Sequence, residues 1–419
     1  MRSPIQQGRP RHPNGRRMEE RGGKVAGRKR EGEGGERGGE EDGVGVGGGV
    51  RALRSTVHYL RRKLIALRAA ASNSCAWQAI GRCPVQPLYQ FGDSISDTGN
   101  SVRIVPALPA SRRPYGETFP GKPTGRWSDG RLIIDYIAMA LGLPLLNPYL
   151  NKTASFSNGV NFAVASATTL DPSFYSAKGI IIPPLPALAS QLSYFKTYLS
   201  SICSTPTDCA DKLKGSLFFV GEFGYNDIYY PYTQGRSVEE IQTTFVPLVN
   251  QLIINSTREL IQLGVSQVVV PGNFPLGCFP TFLSVARRNR STAYDDFGCA
   301  ESLNDLTSYE NNDLQRALNS LRMEFPNTVI LYADYYNAFL SLLRQATTFG
   351  FDTEKLLTPC CGDDGVYSYL LPTFCGGVGV PVCSNPNVRI HWDGVHLTQE
   401  AYRRMSEIII RNLGINYIQ

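Results

Sequence analysis

Histidine is scarce in this chain, with four residues in 419, beside three Trp and five Met. No apolar stretch approaches the roughly 18 uninterrupted residues that a bilayer crossing requires, so no transmembrane helix is expected. Nor is the uninterrupted apolar core of a secretory signal visible near the N-terminus. Acidic residues are missing from positions 43 to 82, where seven basic ones stand. No Cys-x-x-Cys pair occurs among the ten Cys, which removes the usual zinc-ribbon spacing.

The formal charge of +6 divides unevenly. Residues 1 to 82 hold 18 Lys plus Arg and 8 acids, whereas residues 83 to 419 hold 24 and 28. The head therefore carries +10 and the body −4. A nucleic-acid binder needs basic residues on its folded surface, so none is expected here. Residues 1 to 50 contain 15 of the 41 Gly and almost no large apolar side chains, too little to offset ordering entropy. That segment reads as disordered. The acid-poor stretch "RALRSTVHYLRRKLIALRAAA" has the composition of an organelle transit peptide or a membrane-surface helix, or is an extension without selected function. We expect a disordered, basic extension over 1–82 and one folded domain over 83–419.

From Pro87 onward, short apolar runs alternate with amphipathic stretches. Strands are predicted at residues 87–93, 159–166, 216–224, 265–273 and 328–336, each apolar on consecutive positions, as suits strands covered on both faces. Helical patterns lie between them: one after a predicted N-cap at Ser128, then "PALASQLSYFKTYLSSI", "VEEIQTTFVPLVNQLIINSTRELIQLG" and "LNDLTSYENNDLQRALNSLRMEF". Repeated strand then helix implies a mostly parallel five-stranded sheet in a three-layer α/β/α sandwich. Ligands in such folds sit beyond the carboxyl ends of the strands.

A nucleophilic hydroxyl usually takes histidine as its base. His12 and His58 lie in the head, which leaves His391 and His396 in "RIHWDGVHLTQEAY". Asp393 stands three residues before His396, where one helical turn would bring the carboxylate to the imidazole. Ser94, in "FGDSISDTGN", lies where the first strand ends, a position for an exposed nucleophile. The second strand ends at Ser166 and the third runs into "EFGYND", with Gly224 and Asn226. A backbone N–H at a tight turn and an Asn amide suit an oxyanion. Ser96 reads as a polar loop residue. The set His391, Asp393 and His396 could instead bind zinc, but further ligands are not apparent and the Ser94 and Asn226 blocks would then lack a purpose.

Six blocks in order resemble the plant branch of the GDSL esterase/lipase family, within the Ser-Gly-Asn-His hydrolases: "FGDSISDTGN", "RPYGETFPGKPTGRWSDGRLIIDYIA", "GVNFAVASATTL", "VGEFGYNDIYYP", "VPGNFPLGCFP" and "WDGVHLTQEAYR". The resemblance runs from about Tyr89 to Tyr402. No Gly-x-Ser-x-Gly elbow is present, which argues against an ordinary α/β-hydrolase lipase. The resemblance implies a flavodoxin-like sandwich and a carboxylic ester hydrolase, with Ser94 as nucleophile, His396 as base and Asp393 orienting it. It implies an oxyanion hole of the Ser94 and Ser166 N–H groups with the Asn226 amide, and no cofactor or metal. The family's second block ordinarily carries Gly where Ser166 stands, so a non-catalytic binding protein on the same fold is an alternative, as is an acyltransferase. The expected partner is a small-molecule or lipid ester, bound by a monomer. Family substrates span lipids, acetylated alkaloids, phenolic choline esters and polysaccharide acetates. Residues 101–121 are expected to supply apolar and aromatic surface to the acyl pocket.

All Cys but Cys75 lie at Cys83 or later, and short separations suggest the pairs Cys203 with Cys209, Cys278 with Cys299 and Cys375 with Cys383, connectivity being open. Buried free thiols are the other reading. With sequons at Asn151, Asn255 and Asn289, and the secretion usual in the resembled family, disulfides point to an extracellular protein. The basic 43–82 segment points instead to an organelle.

Overall fold

The computed structural model describes residues 87–362 and 375–415. The extension expected over 1–82 lies outside them, as do Cys75 and Cys83. Five strands form one sheet: β1 (Leu88–Phe91), β2 (Gly159–Asn161), β3 (Leu217–Val220), β4 (Gln267–Pro271) and β5 (Val329–Ala333). Their order is β2-β1-β3-β4-β5 and every pairing is parallel, with Leu88 in register with both Gly159 and Leu217. All residues of β1, β2 and β3 are buried, so both faces of the sheet are covered. The edge strand β5 is only partly buried.

The principal helices are α1 (Ile133–Ala140), α2 (Leu188–Ile202), α3 (Tyr225–Thr233), α4 (Val246–Gln262), α5 (Pro280–Ala286), α6 (Glu301–Glu324), α7 (Tyr335–Arg344) and α8 (Gln399–Asn412). In α2, Leu188, Gln191, Leu192, Phe195 and Leu199 are buried, a stripe at helical spacing. Phe195 meets Phe218 edge to face at 5.4 Å, while Tyr89 stacks on Phe218 at 4.6 Å and Phe91 on Phe162 at 5.2 Å. Truncating a fully buried Phe of this cluster would cost about 3–5 kcal/mol. Between α4 and α6 and between α8 and both α1 and α7 lie the main helix contacts. At Gly159, φ is +121° and a Cβ would fall 1.8 Å from the Leu88 carbonyl oxygen, so only glycine lets β2 approach β1 there.

Several expectations are corrected. The second strand stops at Asn161, although Phe162 and Val164 still donate N–H groups to the Gln90 and Gly92 carbonyls at 2.7 and 3.1 Å, and Ser166 lies in the turn beyond. Ser128 is not a helix cap. Helix α1 begins at Ile133, with the Leu132 N–H donating to Asp135 at 2.9 Å, while the Ser128 hydroxyl donates to the Leu397 carbonyl at 3.0 Å. A buried, bidentate Arg126–Asp135 pair, both bonds 2.7 Å, fixes this first turn.

Four disulfides join Cys203–Cys209, Cys278–Cys299, Cys360–Cys383 and Cys361–Cys375, and no cysteine is free among the described residues. The expected Cys375–Cys383 pair is therefore wrong. An antiparallel bridge sets Cys361 opposite Val382, so neighbouring Cys360 reaches Cys383 and Cys361 takes Cys375. Among the described residues no helix is long and apolar enough to cross a membrane.

Candidate active site

The sheet order reverses direction at β1, which leaves a crevice at the carboxyl ends of β2, β1 and β3. Three segments leaving those strands, and a turn before α8, line one narrow cleft of about 50 Å³. Ser94 follows β1, Ser166 follows β2, Asn226 opens α3 after β3, and His396 comes from the turn. Trp127, Tyr229 and Tyr230 complete most of the wall.

Buried hydrogen bonds hold these loops. The Gln191 amide clamps the end of β1, accepting from the Gly92 N–H at 3.0 Å and donating to its carbonyl at 2.8 Å. The Asp97 carboxylate accepts the N–H groups of Gly99, Asn100 and Ser101 within its own loop, and that of Ala165 at 2.9 Å across the cleft floor. Asn100 donates to the Asn161 and Ala163 carbonyls, tying the same two loops. Asp227 accepts the Thr169 and Leu170 N–H groups and the Tyr175 phenol, which anchors α3. Composition could not single out these buried carboxylates, because Asp and Asn are ordinary turn residues.

Asp393 and His396 lie on a tight turn, closed by an antiparallel bridge between His391 and Leu397, and not on a helical turn. Asp393 Oδ1 accepts the Val395 and His396 N–H groups at 2.8 and 2.7 Å, and Oδ2 lies 2.8 Å from His396 Nδ1. Burial pushes the Asp393 carboxyl up, but the His396 charge and the hydrogen bonds from His396 and Val395 outweigh it and hold the group below its ordinary range. With Nδ1 facing a carboxylate, the proton belongs on Nδ1, and Nε2 is free to accept. Among the described residues, His396 Nε2 is buried without a partner. The Trp127 ring packs against this imidazole at 5.1 Å.

His391 is different. It is fully buried between Phe279 and Phe339, at 5.1 and 5.6 Å, and burial lowers its pKa to about 3. It does not line the cleft, and among the described residues no group of three His, Cys, Asp or Glu side chains could hold a metal ion. Ser96 is buried under the loop and does not line the cleft either.

Ser166 has φ +64°, the one non-glycine residue with positive φ among those described. It has the left-handed conformation that glycine adopts freely. Burial raises the Tyr230 phenol pKa, and a hydrogen bond with the Ser166 side chain opposes that rise. Among the described residues, neither the Ser94 nor the Ser166 N–H is donated to another protein group. Both Asn226 amide hydrogens are engaged, with Asp93 Oδ2 at 2.8 Å and the Ala167 carbonyl at 3.0 Å. Burial raises the Asp93 carboxyl to about 7, against the Ile95 N–H bond and the His396 charge. Gly224 immediately precedes α3 with φ +111°, where a Cβ would strike Glu310, and it does not line the cleft.

The stretch 101–121, expected to build an acyl pocket, gives the cleft no residue. It contributes Tyr115 behind the site, whose phenol donates to Asp393 Oδ2 at 2.8 Å.

A doubly covered parallel sheet with a serine, an oriented imidazole and free N–H groups at its carboxyl edge is the architecture of an ester hydrolase. Residues 88–409 match the family model described as GDSL-like Lipase/Acylhydrolase, and the chain belongs to that family and is a carboxylic ester hydrolase. Acetylajmalan esterase of Rauvolfia serpentina is 52% identical over 332 residues, 78% of this chain and 85% of the relative. Acetylajmalan esterase 2 of the same plant is 52% identical over 81% of this chain and 93% of its own length. A GDSL esterase/lipase of Arabidopsis thaliana is 44% identical over 78% of this chain and 84% of that protein.

Proposed function

We propose that Ser94, His396 and Asp393 act together in a two-step acyl transfer to water. His396 Nε2 takes the Ser94 hydroxyl proton as Oγ bonds to the ester carbonyl carbon and the carbonyl electron pair moves onto oxygen. The Ser94 and Ser166 N–H groups hold that oxyanion, and Asn226 joins them by giving up one of its two present acceptors. His396 then protonates the departing alcohol. Water attacks the acyl-serine, loses its proton to His396, and Ser94 is released with its hydroxyl restored. Asp393 keeps the Nδ1 proton in place throughout. This chemistry calls for no metal or organic cofactor.

The observation that carries the reading is the convergence of Ser94, Ser166, Asn226 and an unpartnered, buried His396 Nε2 on one cleft. A volume of about 50 Å³ leaves room for only a few non-hydrogen atoms, which supports a small acyl group such as acetyl. The names of the Rauvolfia relatives, acetylajmalan esterases, support the same reading of an acetyl ester. Residues 83–419 then form the catalytic domain, acting as a monomer, with 1–82 as a basic extension. The four disulfides support maturation in an oxidising compartment and secretion. Labelling with a fluorophosphonate probe tests the site. The folded protein should be modified at Ser94, and Ser94→Ala should remove both label and hydrolysis. Ester hydrolysis persisting in Ser94→Ala would sink the assignment.

A further inference from the structure

Beside the cleft lies a second, larger hollow, a trough of about 680 Å³, and the rings of Tyr229 and Tyr230 line both. Its volume falls within the range of small-molecule sites, whereas the cleft alone is too small to hold a bulky ester. The dividing ridge is tied down, since the Tyr229 phenol bonds Thr281, the Tyr230 phenol bonds Ser166, and the Thr281 N–H donates to Gly394 in the histidine turn. On the far rim Ile181 stands 81% exposed. Its backbone is held at both N–H and carbonyl by the Gln234 amide, at 2.9 and 2.8 Å, so an apolar side chain is fixed in water facing the hollow. Among the described residues no Asp or Glu lines the trough, Arg288 is the one charge on it, and Arg288 makes no ion pair.

We propose that this trough binds the alcohol half of the ester, and that it accepts flat apolar alcohols that are neutral or anionic while disfavouring cationic ones. The inference rests on the reading above that the acyl half is small and occupies the cleft. Tyr229 and Tyr230 offer aromatic surface to a ring, and Val285 and Ile182 offer aliphatic surface. Arg288 sits where a carboxylate on that ring would gain and an ammonium would lose.

The test uses the full chain and benzyl acetates carrying a para methyl, carboxylate or trimethylammonium group. Wild-type kcat/KM should favour the carboxylate over the trimethylammonium ester by about 25-fold, since one unit charge at contact distance in water moves each ester about fivefold from the neutral one, in opposite directions. Arg288→Glu, at an exposed site, should invert that ratio, Arg288→Gln should bring it near one, and about 1 M salt should erase it in the wild type. Val285→Trp should raise KM for all three benzyl esters relative to methyl acetate. Equal rates for the three esters in the wild type, or a ratio that Arg288→Glu leaves in place while Ser94→Ala abolishes turnover, would overturn the subsite and leave the catalytic reading standing. Benzyl ester hydrolysis that persists in Ser94→Ala would overturn both.

Discussion

The Tyr115 phenol donates to Asp393 Oδ2 at 2.8 Å, and the same oxygen lies 2.8 Å from His396 Nδ1. The carboxylate therefore receives a fixed donor from a segment 278 residues away, and its orientation does not depend on the turn alone. Tyr115 is itself packed edge-on against Trp127 and Trp392, at 5.8 and 5.9 Å. We expect Tyr115→Phe to keep this packing, cost about 2 kcal/mol of stability as a lost hydrogen bond to a buried charge, and lower kcat several-fold with little change in KM. Urea unfolding and steady-state kinetics on one acetate ester measure the two effects.

Asp93 and Asn226 form a second coupled pair. Asp93→Asn is expected to keep the Ile95 contact but set an amide N–H against the Asn226 N–H, turning the Asn226 side chain. The loss should appear in kcat more than in KM. In a double-mutant cycle with Asn226→Ala the effects should be strongly non-additive, and simple additivity would remove Asp93 from the site.

Ser166 already holds the left-handed conformation, so Ser166→Gly leaves the backbone N–H where it is. We expect kcat to change by less than about threefold, since the backbone donor, worth about 100-fold or more when an oxyanion contact is lost, is retained. Relief of the left-handed cost, about 1 kcal/mol, is offset by loss of the Tyr230 contact, so thermal stability should shift little. A large gain in rate would mean that the serine side chain obstructs the cleft.

Beneath the site, burial raises the carboxyls of Glu310 to about 8 and Asp93 to about 7, and raises Glu222 well above its usual range. A raised folded pKa means that the fold holds the proton more tightly than the unfolded chain. Its stabilisation is complete below the unfolded value and is lost as pH rises towards the folded one. His391, lowered to about 3, has the opposite sign, its cost growing as pH falls below the ordinary histidine value of about 6.5. Above that value the carboxyls act alone, so the urea midpoint should fall between about pH 6.5 and pH 8. Glu310→Gln, which keeps an acceptor for Asn273, should flatten that slope.

Much of the layout was legible because its cause is local. Strand β3 is apolar at every position and β1 at all but Gln90, and α2 and α6 repeat apolar residues at helical spacing, so residues 88–91, 188–202, 217–220 and 301–324 lie where the pattern predicts them. Ser94 could be singled out by its place after a buried strand. At Ser128 the local pattern does not decide the outcome, because a serine before an apolar run looks the same whether it bonds the next turn or, as here, the distant Leu397 carbonyl.

The sequence by itself determined the alternation of strand and helix, the family blocks and the short list of hydroxyl, amide and imidazole groups, since each is a matter of residue type and spacing. Only the tertiary structure decided which histidine is enclosed by phenylalanines and which lines the cleft, how Cys360 and Cys361 divide their partners, and which carboxylates lie in the dark beneath the site. Those outcomes depend on burial and on hydrogen bonds between residues tens to hundreds of positions apart, and such contacts exist only once the chain has packed.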